Sequence, residues 1–254
     1  MNKAVIIILI AVCAVVFVIS ADKLLTYFGA DKEAESGFAN LLPEEIAGPD
    51  ATVAEGGANP FEAMLPYYLG LREDNPDFVG WLRIPFTRVS YPVMQTPDSP
   101  EFYLDRNFDK KYSTAGTLFA ADISDVELPS DVVIIYGHRM KTGAMFGSLG
   151  DFLDEDFLKD RDTIVFDTFA GRKEYKVYCT FVQAVNVEGE FMYYNYSQFF
   201  NEEMFDRFMQ GVDSNRKTAN PKFRPVYGDK LILLSTCEYT HADGRLILVG
   251  VLDR

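Results

Sequence analysis

From about Phe61 onward the apolar residues fall into short runs separated by Pro, Gly, Asn and Asp, the pattern of short strands joined by turns. Val79–Ile84, closed by Pro85, reads as a first strand. Val89–Met94 reads as a second, and Pro92 within it predicts an edge position or a bulge, because proline cannot donate to a ladder. Thr114–Ala120, Asp131–Tyr136 and Thr163–Asp167 follow, and Asp131–Tyr136 is apolar enough to predict full burial. Lys173–Val187 alternates with period two over much of its length and predicts a long sixth strand. Lys230–Thr236 and Arg245–Leu252 complete the set as seventh and eighth.

Helical spacing is confined to the start of this body and to insertions. Phe61–Arg72 puts Met64, Leu65, Tyr68 and Leu71 on one side, with Pro66 early. Two short helical pieces are predicted around Met145–Leu149 and Asp154–Leu158. Residues 188–229 interrupt the strand pattern. Within them Phe200, Met204, Phe205, Phe208 and Met209 recur at helical spacing, with Glu202, Glu203 and Asp206 between them. That predicts an amphipathic helix docked on the body, and a helix inserted between two strands can also wall a groove. The predicted class is mainly β, a closed or nearly closed barrel of eight strands with N-terminal helices and a helix inserted between strands six and seven. The strand order does not follow from the pattern.

Ahead of the body, Ala4–Ala21 is an uncharged run of 18 residues, just long enough to cross a hydrocarbon core as a helix. The expected domain organisation is therefore an N-terminal membrane anchor over residues 1–21, a linker over 22–60 and a catalytic domain over 61–254. Lys3 before the run puts the N-terminus in the cytoplasm and the body outside, on a single-pass anchor in the cell membrane. The competing reading is a cleaved signal, since Ser20-Ala21 offers small residues at a cleavage site. The linker is dominated by Gly, Ala, Glu, Asp and Pro, although Leu24, Leu25, Phe28, Leu41 and Leu42 are available to pack.

Composition narrows the function classes. Net charge is −14, which repels phosphate backbones and excludes nucleic acid as an expected partner. Three cysteines, Cys13, Cys179 and Cys237, make no disulfide framework, and with two histidines and no Cys-x-x-Cys no structural zinc site is expected. Asp122, Asp125 and Glu127 lack the spacing of a calcium loop.

Three residue types coincide at predicted strand ends. His138 follows the fourth strand in Tyr136-Gly137-His138-Arg139-Met140. Cys237 ends the seventh in Leu233-Leu234-Ser235-Thr236-Cys237, and Arg245 opens the eighth after Ala242-Asp243-Gly244. A cysteine attacks as thiolate, and a histidine can take the thiol proton and later protonate a leaving amine. An arginine is a permanent cationic donor to the oxyanion of a tetrahedral intermediate. The candidate catalytic set is thus His138, Cys237 and Arg245, suited to acyl transfer from an amide through a thioester. His241, in the loop between Cys237 and Arg245, is expected to lie near the groove as a loop residue, and Glu238 to point away from the thiol, whose pKa a facing carboxylate would raise.

These same stretches resemble the sortase family of membrane-anchored cysteine transpeptidases. Gly80-Trp81-Leu82-Arg83-Ile84, Tyr91-Pro92-Val93-Met94-Gln95, Phe102-Tyr103-Leu104 and Gly116-Thr117-Leu118-Phe119 look like its class B branch. The resemblance implies an eight-stranded sortase barrel that needs no metal or organic cofactor. It implies a Gram-positive surface enzyme reading a C-terminal sorting signal of the Leu-Pro-x-Thr-Gly type or a class B variant. The implied partners are surface proteins bearing that signal and an amine on a peptidoglycan precursor or cross-bridge, with the membrane reached through the N-terminal helix. In the implied roles Cys237 is the nucleophile, His138 the acid/base, and Arg245 the substrate and oxyanion donor. Alternatives left standing are a pilin-polymerising sortase, a surface cysteine protease with water as acceptor, and an inactive sortase-like binding domain.

Overall fold

The computed structural model describes residues 6, 10–22, 29, 37–38, 40–42, 60–128, 130–185, 189, 191–238 and 244–253, without the side chains of 60, 237 and 238. Helix α1, Pro60–Asp74, leads into the body. Strands β1 (Phe78–Arg83), β2 (Ser90–Met94), β3 (Leu118–Ala120) and β4 (Val132–Tyr136) follow. Helix α2, Glu155–Asp160, is capped by Asp154, whose carboxylate accepts from the amides of Asp156 and Phe157. Then come β5 (Thr163–Thr168) and the long β6 (Gly171–Ala184). Helix α3 (Glu202–Asn215) and β7 (Arg216–Ala219) form the insertion before β8 (Leu231–Glu238) and β9 (Gly244–Leu252).

The sheet order is β5-β1-β2-β3-β4-β8-β9-β6-β7, and β5 also pairs with β6. Eight strands thus close into a ring, as the sequence pattern predicts, and β7 is appended outside it on β6. The short β7 was not legible in the sequence because Arg216-Lys217-Thr218-Ala219 carries no apolar alternation. Pro92 sits opposite Trp81 of β1, one residue before β2 begins its parallel pairing with β3 at Val93. Its missing N–H falls where one flank of the strand is unpaired, so an interior strand accommodates the residue that predicted an edge.

Strands β4, β8 and β9 are apolar at consecutive positions because both of their faces are buried. Val133, Ile135, Ile232, Leu234, Leu246 and Leu248 join the cluster that fills the barrel and extends beneath α1. The alternate residues Val132, Ile134, Leu231, Leu233, Ile247 and Val249 belong to a second cluster, covered by the insertion through Tyr193, Phe199, Phe205, Phe208, Met209 and Val212. The predicted amphipathic helix therefore exists, and it roofs the outer face of the β4–β8–β9 sheet. Phe200, expected on its apolar side, is instead 84% exposed, because Asn201 caps α3 and leaves Phe200 ahead of the first turn.

A buried polar network ties α1 to the barrel. Asp167 is 0% exposed and accepts from Arg83 Nη1 at 2.9 Å, Arg172 Nε at 2.7 Å and Tyr68 Oη at 2.8 Å. Arg83 Nη2 also donates to Tyr68 Oη at 2.8 Å, which links helix and strand through one hydroxyl.

The N-terminal expectations need correction. Among the described residues no helix is long and apolar enough to cross a membrane. The expected localisation, a single-pass anchor in the cell membrane with the body outside, is overturned by this finding. Most of the expected linker lies outside the described residues, including Leu24, Leu25 and Phe28. Phe38 and Leu42 within it are buried against the body, Phe38 with its ring 5.6 Å from that of Tyr91.

Candidate active site

Strands β4 and β8 run parallel with Tyr136 opposite Ser235, and the amide of Gly137 continues the ladder to Ser235 O at 3.2 Å. Two parallel strands end at the same edge of a sheet, so His138 and Cys237 each fall two residues past this matched pair. Strand β9 then runs antiparallel to β8 with Arg245 opposite Cys237. The three candidate positions therefore form one row across adjacent strands, although 99 residues separate the first from the second in the chain. The side chains of Cys237 and Glu238 and the whole of His241 lie outside the described part, so the orientation expected for Glu238 and the place expected for His241 do too.

A cleft of about 340 Å³ opens over this row, at the end of the second apolar cluster. His138 and Arg245 line it, together with Tyr136, Ser235, Thr236 and Tyr193. Ser235 and Tyr193 are joined hydroxyl to hydroxyl at 2.7 Å, which fixes the insertion to the end of β8. Burial pushes the Tyr136 phenol well above its ordinary pKa, reinforced by Tyr193 and Asp122 and opposed by Arg245, so it remains a protonated donor facing the cleft. Thr236 is 2% exposed, and its hydroxyl has no hydrogen-bond partner among the described residues.

His138 Nε2 lies 2.7 Å from the carbonyl oxygen of Leu104. A carbonyl only accepts, so Nε2 carries the hydrogen here and Nδ1 is the nitrogen left to take a proton. The Leu104 carbonyl is itself placed by its neighbours. Tyr103 is buried, receives Asn75 Nδ2 at 2.8 Å and donates to Asp77 at 2.8 Å. Gly116, at φ +60°, lets its segment pass close by, where a Cβ would lie 2.5 Å from Leu104 O and 2.7 Å from Tyr103 O. Gly116→Ala is expected to cost about 1–3 kcal/mol in backbone strain. It should also lower peptide turnover beyond the loss of folded protein, since the carbonyl that holds His138 must move. Thermal midpoint and turnover, measured side by side, check both effects.

Sequence reasoning named His138 and Arg245, and the structure brings both to one cleft with Cys237 in their row. It quoted Leu104 in a motif but missed its role, which is played by a backbone atom that no side-chain signal reports. It also missed Tyr193, one of several aromatic residues in an insertion whose spacing gives no single period. Tyr136 stood in the quoted motif, but only the parallel register shows that it shares the Ser235 row. Among the described residues no group of His, Cys, Asp and Glu could hold a metal ion.

A closed eight-stranded barrel with this row at one edge is a cysteine acyl-transferase architecture, and comparison with known proteins identifies it further. A family profile described as Sortase domain matches residues 82–253, and the chain belongs to the sortase family. It is similar to sortase B of Listeria monocytogenes, 32% identical over 186 residues, covering 72% of each chain. Among solved structures it resembles sortase B from B. anthracis, with TM-score 0.64, 28% identity, and coverage of 74% of this chain and 84% of that one. It also shares the fold of a Staphylococcus aureus sortase B–substrate complex, with TM-score 0.67, 22% identity, and coverage of 76% and 91%. The family branch is class B, and the protein is a cysteine transpeptidase of the kind that acts on surface proteins.

Proposed function

We propose that this chain cleaves a C-terminal sorting signal, of the Leu-Pro-x-Thr-Gly type or a class B variant, and joins the carbonyl so released to an amine on a peptidoglycan precursor or cross-bridge. The observation that carries the reading is the row of His138, Cys237 and Arg245 on three adjacent strand ends beside one cleft. Cys237 Sγ adds to the Thr carbonyl of the signal, and its proton passes to Nδ1 of His138. Arg245 and the protonated Tyr136 phenol donate toward the tetrahedral oxyanion. Collapse breaks the C–N bond, and the leaving amine takes the proton from His138, leaving a thioester. The acceptor amine then attacks the thioester, gives a proton back through His138, and releases Cys237.

The open, mostly apolar cleft suits an extended peptide, and the similar S. aureus sortase B was solved as a substrate complex. The test is to incubate the full chain with a panel of sorting-signal peptides, with and without a glycine-based amine. Intact mass is expected to show an acyl adduct on the protein, and the added amine should divert product from acid to amide. A panel that leaves the protein without adduct and the peptides uncut overturns the reading. Hydrolysis that added amine does not divert makes it a protease.

A further inference from the structure

The face of β6 beneath the insertion is apolar at Cys179, Phe181 and Val185, all members of the second cluster, yet polar at Gln183 between them. Gln183 is 5% exposed. Its Nε2 donates to the carbonyl of Phe191, which also accepts from the amide of Tyr193 at 3.1 Å. A carbonyl only accepts, so this bond fixes the amide with its nitrogen toward the insertion. The other end, Oε1, is buried with no hydrogen-bond partner among the described residues. Leaving a buried acceptor unpaired is costly, and most such atoms in folded proteins have a donor.

Strand register puts a side chain rich in donors beside it. Gln183 stands opposite Arg245 of β9, and Arg245 stands opposite Cys237 of β8 on its other flank. Directly opposed residues of antiparallel strands share a face, with Cβ atoms about 4.5–5.5 Å apart. Arg245 therefore lies on the face of Ile247 and Val249, over the second cluster, as Gln183 does. In the structure its Nη1 donates to the carbonyl of Gly244, its own chain neighbour, at 3.1 Å. A guanidinium carries five N–H donors, so that bond leaves most of them over.

We propose that Gln183 is the positioning residue for Arg245: its Oε1 takes one edge of the guanidinium and holds the other edge toward the Cys237 end of the row, where the oxyanion forms. The assignment rests on the transfer reading given above. Arg245 lines the cleft, whereas Gln183 lies behind it, so Gln183 acts through the arginine and not on the peptide. An arginine tied only to its own neighbour must turn during the reaction. One anchored from behind is already in place, and donors that need no reorientation stabilise a developing oxyanion best. Gln183 also bonds to Phe191, so the same amide sets the arginine against the insertion that covers the sheet.

The test is a double-mutant cycle on the full chain with Gln183→Met and Arg245→Ala. Methionine keeps the length of the side chain and loses both polar ends, while the Phe191 carbonyl retains the Tyr193 amide. Gln183→Met is expected to lower kcat for peptide cleavage about tenfold, the scale of one hydrogen bond to a charged group, with KM changed by less than about twofold. On the Arg245→Ala background the same substitution should change kcat little further, because the group it acts through is gone. Gln183→Glu separates the two roles of the amide. It keeps an acceptor for Arg245 but turns oxygen toward the Phe191 carbonyl, so it should cut faster than Gln183→Met at a thermal midpoint no higher. Wild-type kcat in Gln183→Met, a change confined to KM, an undiminished loss on the Arg245→Ala background, or Gln183→Glu no faster than Gln183→Met each overturns the proposal. A wild-type chain that cuts no peptide strikes the transfer reading instead. The same cycle run on urea unfolding then decides for the contact: Gln183→Met should cost less stability without Arg245 than with it, and additive costs overturn it.

Discussion

Cys237→Ala is expected to lower peptide cleavage by on the order of 10⁴- to 10⁶-fold, the scale seen when a covalent nucleophile is removed. No neighbouring group can replace it. Ser235 is tied to Tyr193, and an alcohol such as Thr236 is a far weaker nucleophile than a thiolate. Alanine is smaller than cysteine and keeps the backbone pairing of this position with Arg245, so the thermal midpoint should barely move. Cys179 provides the control. It is fully buried, and burial pushes its thiol far above the ordinary range, so no thiolate forms there. Cys179→Ala should leave cleavage intact. Peptide cleavage followed by chromatography, together with alkylation mapping, checks the pair. If Cys237→Ala cuts peptide as fast as the wild type, the thioester assignment fails.

Asp167→Ala is expected to destabilise the fold by about 3–5 kcal/mol, because it strands two guanidinium groups on a carboxylate they no longer have. Arg83 is 1% exposed and cannot turn to water, while Arg172 and Tyr68 lose the same acceptor. Burial alone would push the Asp167 carboxyl up, but the bonds and charges from Arg172 and Arg83, with the Tyr68 hydroxyl, outweigh it and hold the carboxyl below the usual range. A folded pKa below the unfolded one means that the carboxylate binds protons more readily after unfolding. Its contribution is therefore complete above the unfolded value of about 4 and is lost as pH falls through the lower folded value. Urea unfolding of wild type and Asp167→Ala at pH 7 and at pH 3 should show the difference between them narrowing in acid.

The barrel strands were legible as compact apolar runs between breakers, or for Lys173–Val187 as a period-two alternation, and Asp131–Tyr136 and Lys230–Thr236 advertised burial on both faces. Their order was not, since nothing in either run says that β4 and β8 lie side by side. The candidate row follows from that pairing alone, so His138 and Cys237 could be named as residue types but not placed in register. Leu104 and Gly116 stood in quoted stretches, but their roles were not legible because their contributions are a carbonyl and an absent Cβ. Ala4–Ala21 misled because hydropathy reports only that a segment could enter a membrane, and among the described residues no helix is long and apolar enough to cross one. Arg83 stood in a recognised stretch, but its ion pair with a residue 84 positions away required the β1–β5 pairing to be seen.

Strand β9 lies between β8 and β6, so the ring cannot close until β9 has been synthesised. A nascent chain that ends after β8 carries the thiol and the histidine but neither Arg245 nor a sealed wall. It would also expose the ladder edges of β8 and β6, the condition under which partly made β proteins associate. The order of strands therefore works as a biosynthetic delay. The proposed site is assembled only when the last neighbour of β8 slots into place, and a truncated product should be inert and prone to aggregate rather than partly active.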